Sequence, residues 1–219
     1  MEKRVSKKTN IITTAEKLFY LKGYDSTSVD EIIEKVGLSK GTFYYYFTSK
    51  IELLNEVITI KTNEMVERIN KLNRKNISAV EKLNKVFSIN QEWKITNLEL
   101  MKTIMKVVYK DENSIIRYKI FKSYIKRVTP GITKIIEQGV NEKVFVTDTP
   151  YETAELIILI MDRFKDLAIE LLLEIDNKPD NLKKLMKRIR VWEKSVEKVL
   201  GLNDDTLHIA DIDFINKFI

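Results

Sequence analysis

The 219-residue sequence contains no cysteine. Disulfides, thiolate metal sites and cysteine nucleophiles are thereby excluded, and the chain suits a reducing compartment. Glycine and proline are scarce, at 6 and 3. Few turns interrupt such a backbone, and long helices are the natural outcome. The single histidine, His208, lies near the C-terminal end and reads as a surface or tail residue more readily than as a base or ligand. No glycine-rich phosphate loop is found. Glu92, Glu99, Asp162 and Asp166 lack an evident partner for acid–base work, so no catalytic, metal or cofactor site is expected. Long hydrophobic runs are also missing. The longest, Leu156 to Met161, is far too short to span a bilayer. The basic start (Lys3, Arg4, Lys7, Lys8) leads into polar "TNIITTAEK" and not into the apolar core of a signal peptide. A cytoplasmic protein without membrane attachment is expected.

What is present is charge and helical periodicity. Lysine and arginine number 38 against 32 aspartates and glutamates, a net charge of +6. That balance favours an anionic partner such as nucleic acid. A hydrophobic share of 44% supplies a core. Ile11, Ile12, Ala15, Leu18 and Phe19 predict a first helix from about Lys7, closed by Gly23. Ser28 stands three residues before Glu31, the capping-box arrangement, and opens a short second helix that Gly37 ends. Ser39 caps a third helix, through Phe43 to about Tyr46. Ser49 caps a fourth, from Lys50 to Leu72. Further helices are expected over Ala79–Trp93, Leu98–Tyr109 and Ser114–Glu137, the last interrupted or kinked at Pro130-Gly131. Two long ones complete the chain, from Pro150 to about Glu174 and from Pro179 to Leu200. The fold class is all-α. The tail, residues 202–219, is read either as a short docked helix or as a frayed end.

Two short helices joined by "VGLS" make a helix-turn-helix pattern, whose second helix is shaped to enter a DNA major groove. That helix carries five successive aromatic residues. At 100° per residue Phe43 and Phe47 share one face and pack inward. Lys40, Gly41, Thr42 and the tyrosines Tyr44, Tyr45 and Tyr46 are left for the outside, where a phenolic hydroxyl donates to phosphate and a lysine reaches a phosphate or a guanine edge. Gly41 lets the helix approach the DNA closely. Lys50, at the start of the fourth helix, is placed for a phosphate.

The stretch "TSVDEIIEKVGLSKGTFYYYFTSKIELL", residues 27–54, resembles the signature of the TetR family of bacterial transcriptional regulators. Thr27, Ile32, Gly37, Ser39, Gly41, Tyr44, Phe47, Lys50 and Leu53 occupy its landmark positions. Ile33 and the Lys35-Val36 pair depart from it, at packing positions. The resemblance covers roughly residues 9–58 and implies a three-helix DNA-binding domain, residues 1–50, followed by a helical effector-binding and dimerisation domain, residues 51–219. It adds Thr27 and Ser28, at the start of the second helix, and Ser39 to the DNA-facing set. It further implies a homodimer on a two-fold symmetric double-stranded operator, and a repressor released by a small-molecule effector that changes the spacing of the two recognition helices.

The second half offers Met65, Trp93, Met101, Met105, Tyr109, Tyr118, Phe121 and Tyr124 as candidate pocket lining, although such stripes also serve as ordinary core. The helix through Leu156, Leu159, Ile160 and Phe164 is apolar on several faces and needs cover. Leu182, Leu185, Ile189, Trp192 and Val196 form a heptad-like seam. Both are expected at a dimer interface, and the lysines around the seam also fit a membrane-surface helix. Two other functions stay open: a DNA binder with an architectural or protein-partner role and no effector, and, remotely, a helical enzyme.

Overall fold

The computed structural model describes residues 2–175 and 177–210, apart from the side chains at 2–6, 99, 104, 165, 166 and 173. Glu99 and Asp166, named above as carboxylates, and the last nine residues of the tail lie outside that description. Nine α-helices and no strand occur among the described residues: α1 (Glu2–Lys22), α2 (Val29–Val36), α3 (Lys40–Tyr46), α4 (Lys50–Asn73), α5 (Ala79–Thr96), α6 (Leu98–Thr103), α7 (Ser114–Asn141), α8 (Pro150–Leu173) and α9 (Asp180–Leu200). Between α6 and α7 run a π-helical stretch, Ile104–Val108, and a 3-10 turn, Asp111–Asn113. No helix is long and apolar enough to cross a membrane among the described residues.

The chain packs as two compact units. Unit 1 comprises residues 1–63 and 97–123, and unit 2 comprises residues 64–96 and 124–219. In unit 1 the inward stripes of α1 and α4 (Ile11, Ala15, Phe19; Leu53, Leu54, Val57) close over Ile32 of α2 and Phe43 of α3. Leu100, Val107 and Val108 join that same core. Phe43 is fully buried, which is worth about 2–3 kcal/mol relative to exposure. In unit 2, Ile135 and Ile136 of α7 are fully buried, as are Ala154 of α8 and Val196 and Leu200 of α9. The last two long helices, α8 and α9, pack on each other.

Two elements differ from the pattern-based reading. Helix α7 runs unbroken through Pro130, whose ring removes one backbone donor. Nearby, Thr129 and Thr133 each donate a side-chain bond one turn back, to the carbonyls of Ile125 and Thr129. The described part of the tail, residues 202–210, forms no helix and is docked, with Leu207 fully buried.

Candidate functional site

Local chemistry builds the turn between α2 and α3. Ser28 caps α2 by accepting the Glu31 N–H at 3.1 Å. Gly37 ends it in the left-handed region, φ 69°, where a side chain would be strained. Its N–H donates to Glu34, and the Leu38 N–H to Ile33 (both 3.1 Å), the Schellman arrangement. Two residues on, Ser39 caps α3 by accepting the Thr42 N–H at 3.2 Å, and its hydroxyl pairs with that of Thr42 at 2.9 Å. The reversal seats α3 on the core by its Phe43 face.

Opposite that face the residues are open. Lys40, Gly41, Tyr44 and Tyr45 are exposed, and Thr42 and Tyr46 are half-buried. Tyr46 packs against the unit 1 core and meets Tyr45 edge-on, ring centroids 5.0 Å apart. The Lys40 ammonium sits 2.9 Å from Asp30 of α2, and that hydrogen bond raises its pKa. Gly41 has no internal reason to be glycine. A Cβ built there would meet nothing closer than Ser39 Oγ at 3.9 Å. Glycine in a helix costs about 0.5–1 kcal/mol against alanine, and no close contact within the chain offsets that cost here.

Two of the sequence-derived DNA-facing residues are turned inward. Thr27 is fully buried and donates to the Gly23 carbonyl at 2.8 Å. Lys50 reaches under the turn between α1 and α2. Its ammonium donates to the carbonyls of Tyr24 (2.9 Å) and Thr27 (2.8 Å) and lies 4.1 Å from the Tyr24 ring centroid. Partial burial lowers its pKa. The same site pushes the Tyr24 hydroxyl up to about 12, chiefly by burial and then by the Asp25 charge.

Unit 2 holds a partly open apolar cavity of about 30 Å³, room for roughly two water-sized spheres. Helix α5 supplies Leu83, Val86, Phe87 and Asn90; α4 supplies Met65 and Ile69. The rest comes from α7 (Tyr124, Val128, Ile132) and α8 (Ile157, Ile158, Met161). Asn90 and Tyr124 are its polar groups. Burial, then the Asp162 charge, raises the Tyr124 pKa and keeps its hydroxyl a donor. Of the pocket residues expected from sequence, Met65 and Tyr124 meet here. Met101 and Tyr109 pack on the unit 1 core, Tyr118 is exposed, and Trp93, Met105 and Phe121 are half-buried and do not line the cavity. The α5 wall is not among the residues expected from sequence, although an asparagine inside the stripe Leu83, Val86, Phe87 and Asn90 is a visible signal.

The expected dimer residues divide as well. Leu185, Ile189, Trp192 and Val196 are buried within unit 2. Trp192 stacks on Phe164 of α8 and meets Phe87 of α5 edge-on, at 5.7 Å in each case. Ile160 and Leu182 are half-buried. Leu156 and Leu159 remain exposed, joined by Leu167 on α8 and Val191 on α9.

Two family models match the chain. One, bacterial regulatory proteins of the tetR family, covers residues 11–57. The other, a tetracyclin repressor-like C-terminal domain, covers residues 94–175. An uncharacterized HTH-type transcriptional regulator in the lacX 3' region of Lactococcus lactis subsp. lactis is 47% identical over 51 residues, 23% of this chain and 26% of that protein. The chain thus spans about a quarter of that relative. The fatty acid metabolism regulator protein of Bacillus subtilis is 26% identical over 147 residues, 64% of this chain and 73% of the relative. Among solved structures, Thermus thermophilus FadR, a TetR-family transcriptional repressor in complex with lauroyl-CoA, shares the fold with a TM-score of 0.61 at 20% identity, covering 84% of this chain and 92% of that one.

Proposed function

This chain belongs to the TetR family of bacterial regulatory proteins, and on that premise we propose that it is a sequence-specific DNA-binding transcriptional regulator, a repressor that leaves its operator when a small apolar effector binds. Residues 1–50 take the DNA and residues 51–219 the effector and a second copy. The observation that carries the DNA reading is Gly41. It is an exposed helical glycine that nothing inside the chain requires, set between Lys40 and the exposed Tyr44 and Tyr45. Such a surface lets a helix come close to a groove while its rim donates to phosphates. The two caps Ser28 and Ser39 are exposed, and the Thr42 hydroxyl, paired with that of Ser39, is half-exposed. A role on DNA places the protein in the cytoplasm.

Sequencing the genomic fragments that the purified protein retains would define the operator. On that operator Gly41→Ala is expected to lower affinity by about tenfold or more, the size of one lost close contact, with an unaltered melting temperature or a higher one. Equal affinity for the two proteins would overturn the assignment.

The two-fold operator calls for two recognition helices, and the exposed strip Leu156, Leu159, Leu167 and Val191 supports pairing of two copies through α8 and α9. Leu159→Glu is expected to convert a dimer to a monomer in sedimentation at micromolar concentration. The effector reading rests on the cavity, with Asn90 and Tyr124 as its orienting groups. Its small volume favours a second reading, a DNA binder that answers to a protein partner and takes no effector. Displacement from the operator by apolar compounds separates the two.

A further inference from the structure

Unit 2 buries two carboxylates on α9, Glu193 and Glu197, 3% and 1% exposed. They accept backbone N–H groups from the C-terminal segment. Glu197 Oε1 takes those of Thr206 and Leu207, both at 2.8 Å, and Glu193 Oε1 takes that of Ile209 at 2.9 Å. Asn84 of α5 fills the gap. Its Oδ1 accepts the His208 N–H at 2.9 Å, and its Nδ2 donates to the Thr206 carbonyl at 3.0 Å. Gln91, two turns further along α5, donates to the Ile209 carbonyl. Four successive N–H groups, 206 to 209, therefore go to side chains of two helices, which do the work a neighbouring strand would do. Leu207 and Ile209, alternate residues of this extended segment, are both buried. Ahead of it, Arg190 pairs with Asp205 and Lys194 with Asp204, each at 2.8 Å.

The helix that reads this segment is also a cavity wall. Leu83, Val86, Phe87 and Asn90 of α5 line the cavity, while Asn84 and Gln91 on its flank hold the tail. The first turns of α5 are pinned separately, by Glu142 on the Ala79 N–H and by Lys82, which donates to the Asn73 carbonyl and to Gln138. Farther along, the segment ties α5 to α9. A cavity with room for about two waters admits no organic molecule until a wall moves. An outward shift of α5 beyond its pinned start would pull Asn84 and Gln91 off the segment.

We propose that residues 202–210 are a releasable strap: docked in the backbone-reading cleft of α5 and α9 they hold the cavity at its small volume, so that strap docking and cavity filling oppose each other. This rests on the cavity being an effector site, as proposed above. Opposition of two binding events is reciprocal: weakening the strap strengthens binding in the cavity by the factor with which cavity filling weakens the strap. Because its backbone is what α5 and α9 bind, the strap is tolerant of sequence at exposed His208 and demanding at buried Leu207.

The test uses the full chain and 1-anilinonaphthalene-8-sulfonate as the apolar probe. Asn84→Ala/Gln91→Ala removes three strap hydrogen bonds without touching the cavity lining, and Leu207→Ala weakens the strap from its own side. Both are expected to bind the dye about tenfold more tightly than the unaltered chain, within the usual range of coupling between sites, with unaltered helical circular dichroism. Saturating dye should also speed amide exchange at residues 207–209 of the unaltered chain. Equal dye affinity in all three proteins, at a site that Ile158→Phe blocks, would overturn the strap and leave the cavity reading standing. Absence of any dye binding sensitive to Ile158→Phe would overturn both.

Discussion

The two units use their polar groups in opposite ways. Unit 1 carries 16 lysines and arginines against 11 aspartates and glutamates, and unit 2 carries 22 against 21. Most of the net positive charge thus belongs to the unit that holds the helix-turn-helix. Among the described residues of unit 1, the buried polar side chains are threonines, Thr27, Thr62 and Thr103, while unit 2 buries Lys82, Asn181, Glu193 and Glu197. A buried charge is tolerated when hydrogen bonds replace water, and in unit 2 backbone and amide groups supply most of them, with Arg190 on Glu193 Oε2 at 2.9 Å. Unit 1 keeps most of its ions at the surface, with Lys50 and the Tyr24 hydroxyl as exceptions. Unit 2 holds its buried charges on internal hydrogen bonds, while α3 of unit 1 leaves Lys40, Tyr44 and Tyr45 exposed.

The glycines sharpen this contrast most. Gly139 of α7 lies against Phe145, and an added Cβ would fall 2.0 Å from that ring. Gly139→Ala is expected to cost about 3 kcal/mol or more through overpacking, read as a large fall in melting temperature. Gly41→Ala in unit 1 is expected to raise stability by about 0.5–1 kcal/mol, as alanine does at a helical site with room for it, while lowering DNA affinity. Equal thermal effects would break the contrast.

Lys50 tests its limits, because it is a unit 1 cation engaged inside the unit. Lys50→Met leaves the Tyr24 and Thr27 carbonyls without their donor, and a loss of about 1–3 kcal/mol in denaturant unfolding is expected. An unaltered midpoint would return Lys50 to the surface set. The smallest effect concerns Tyr24. Its hydroxyl ionises at about 12 in the folded chain, against an ordinary value of about 10. The folded state thus holds this proton more tightly than the unfolded state. Its contribution is complete below pH 10 and is lost as pH rises from 10 to about 12. In thermal melts, the gap between Tyr24→Phe and the unaltered chain should change only within that window. A gap that stays constant up to pH 12 would contradict it.

Much of the helix-turn-helix is legible because its determinants are local. Ser28, Gly37 and Ser39 act on groups within a few residues of themselves, and the Phe43 and Phe47 positions follow from the helical repeat. The unit 2 site is far less legible. Its cavity draws residues from four helices, and a stripe such as Leu83, Val86 and Phe87 reads identically whether it faces a solid core or a hollow one.

The sequence by itself determined most of the helices, the Ser28 and Ser39 caps, the inward phenylalanines of α3 and the overall excess of positive charge. These depend on neighbours within about one turn, or on composition alone. Only the tertiary structure decided which long-range partner each residue takes. It turned Lys50 toward the Tyr24 and Thr27 carbonyls, and it covered the Leu185, Ile189, Trp192 and Val196 seam inside its own unit. It also drew residues 206–209 onto Glu193, Glu197 and Asn84. The physical reason is that a periodic stripe states how much of a helix must be covered, and a lysine states that it needs acceptors. Neither states what will cover it or where those acceptors lie, because those partners are brought up by chain segments tens of residues away.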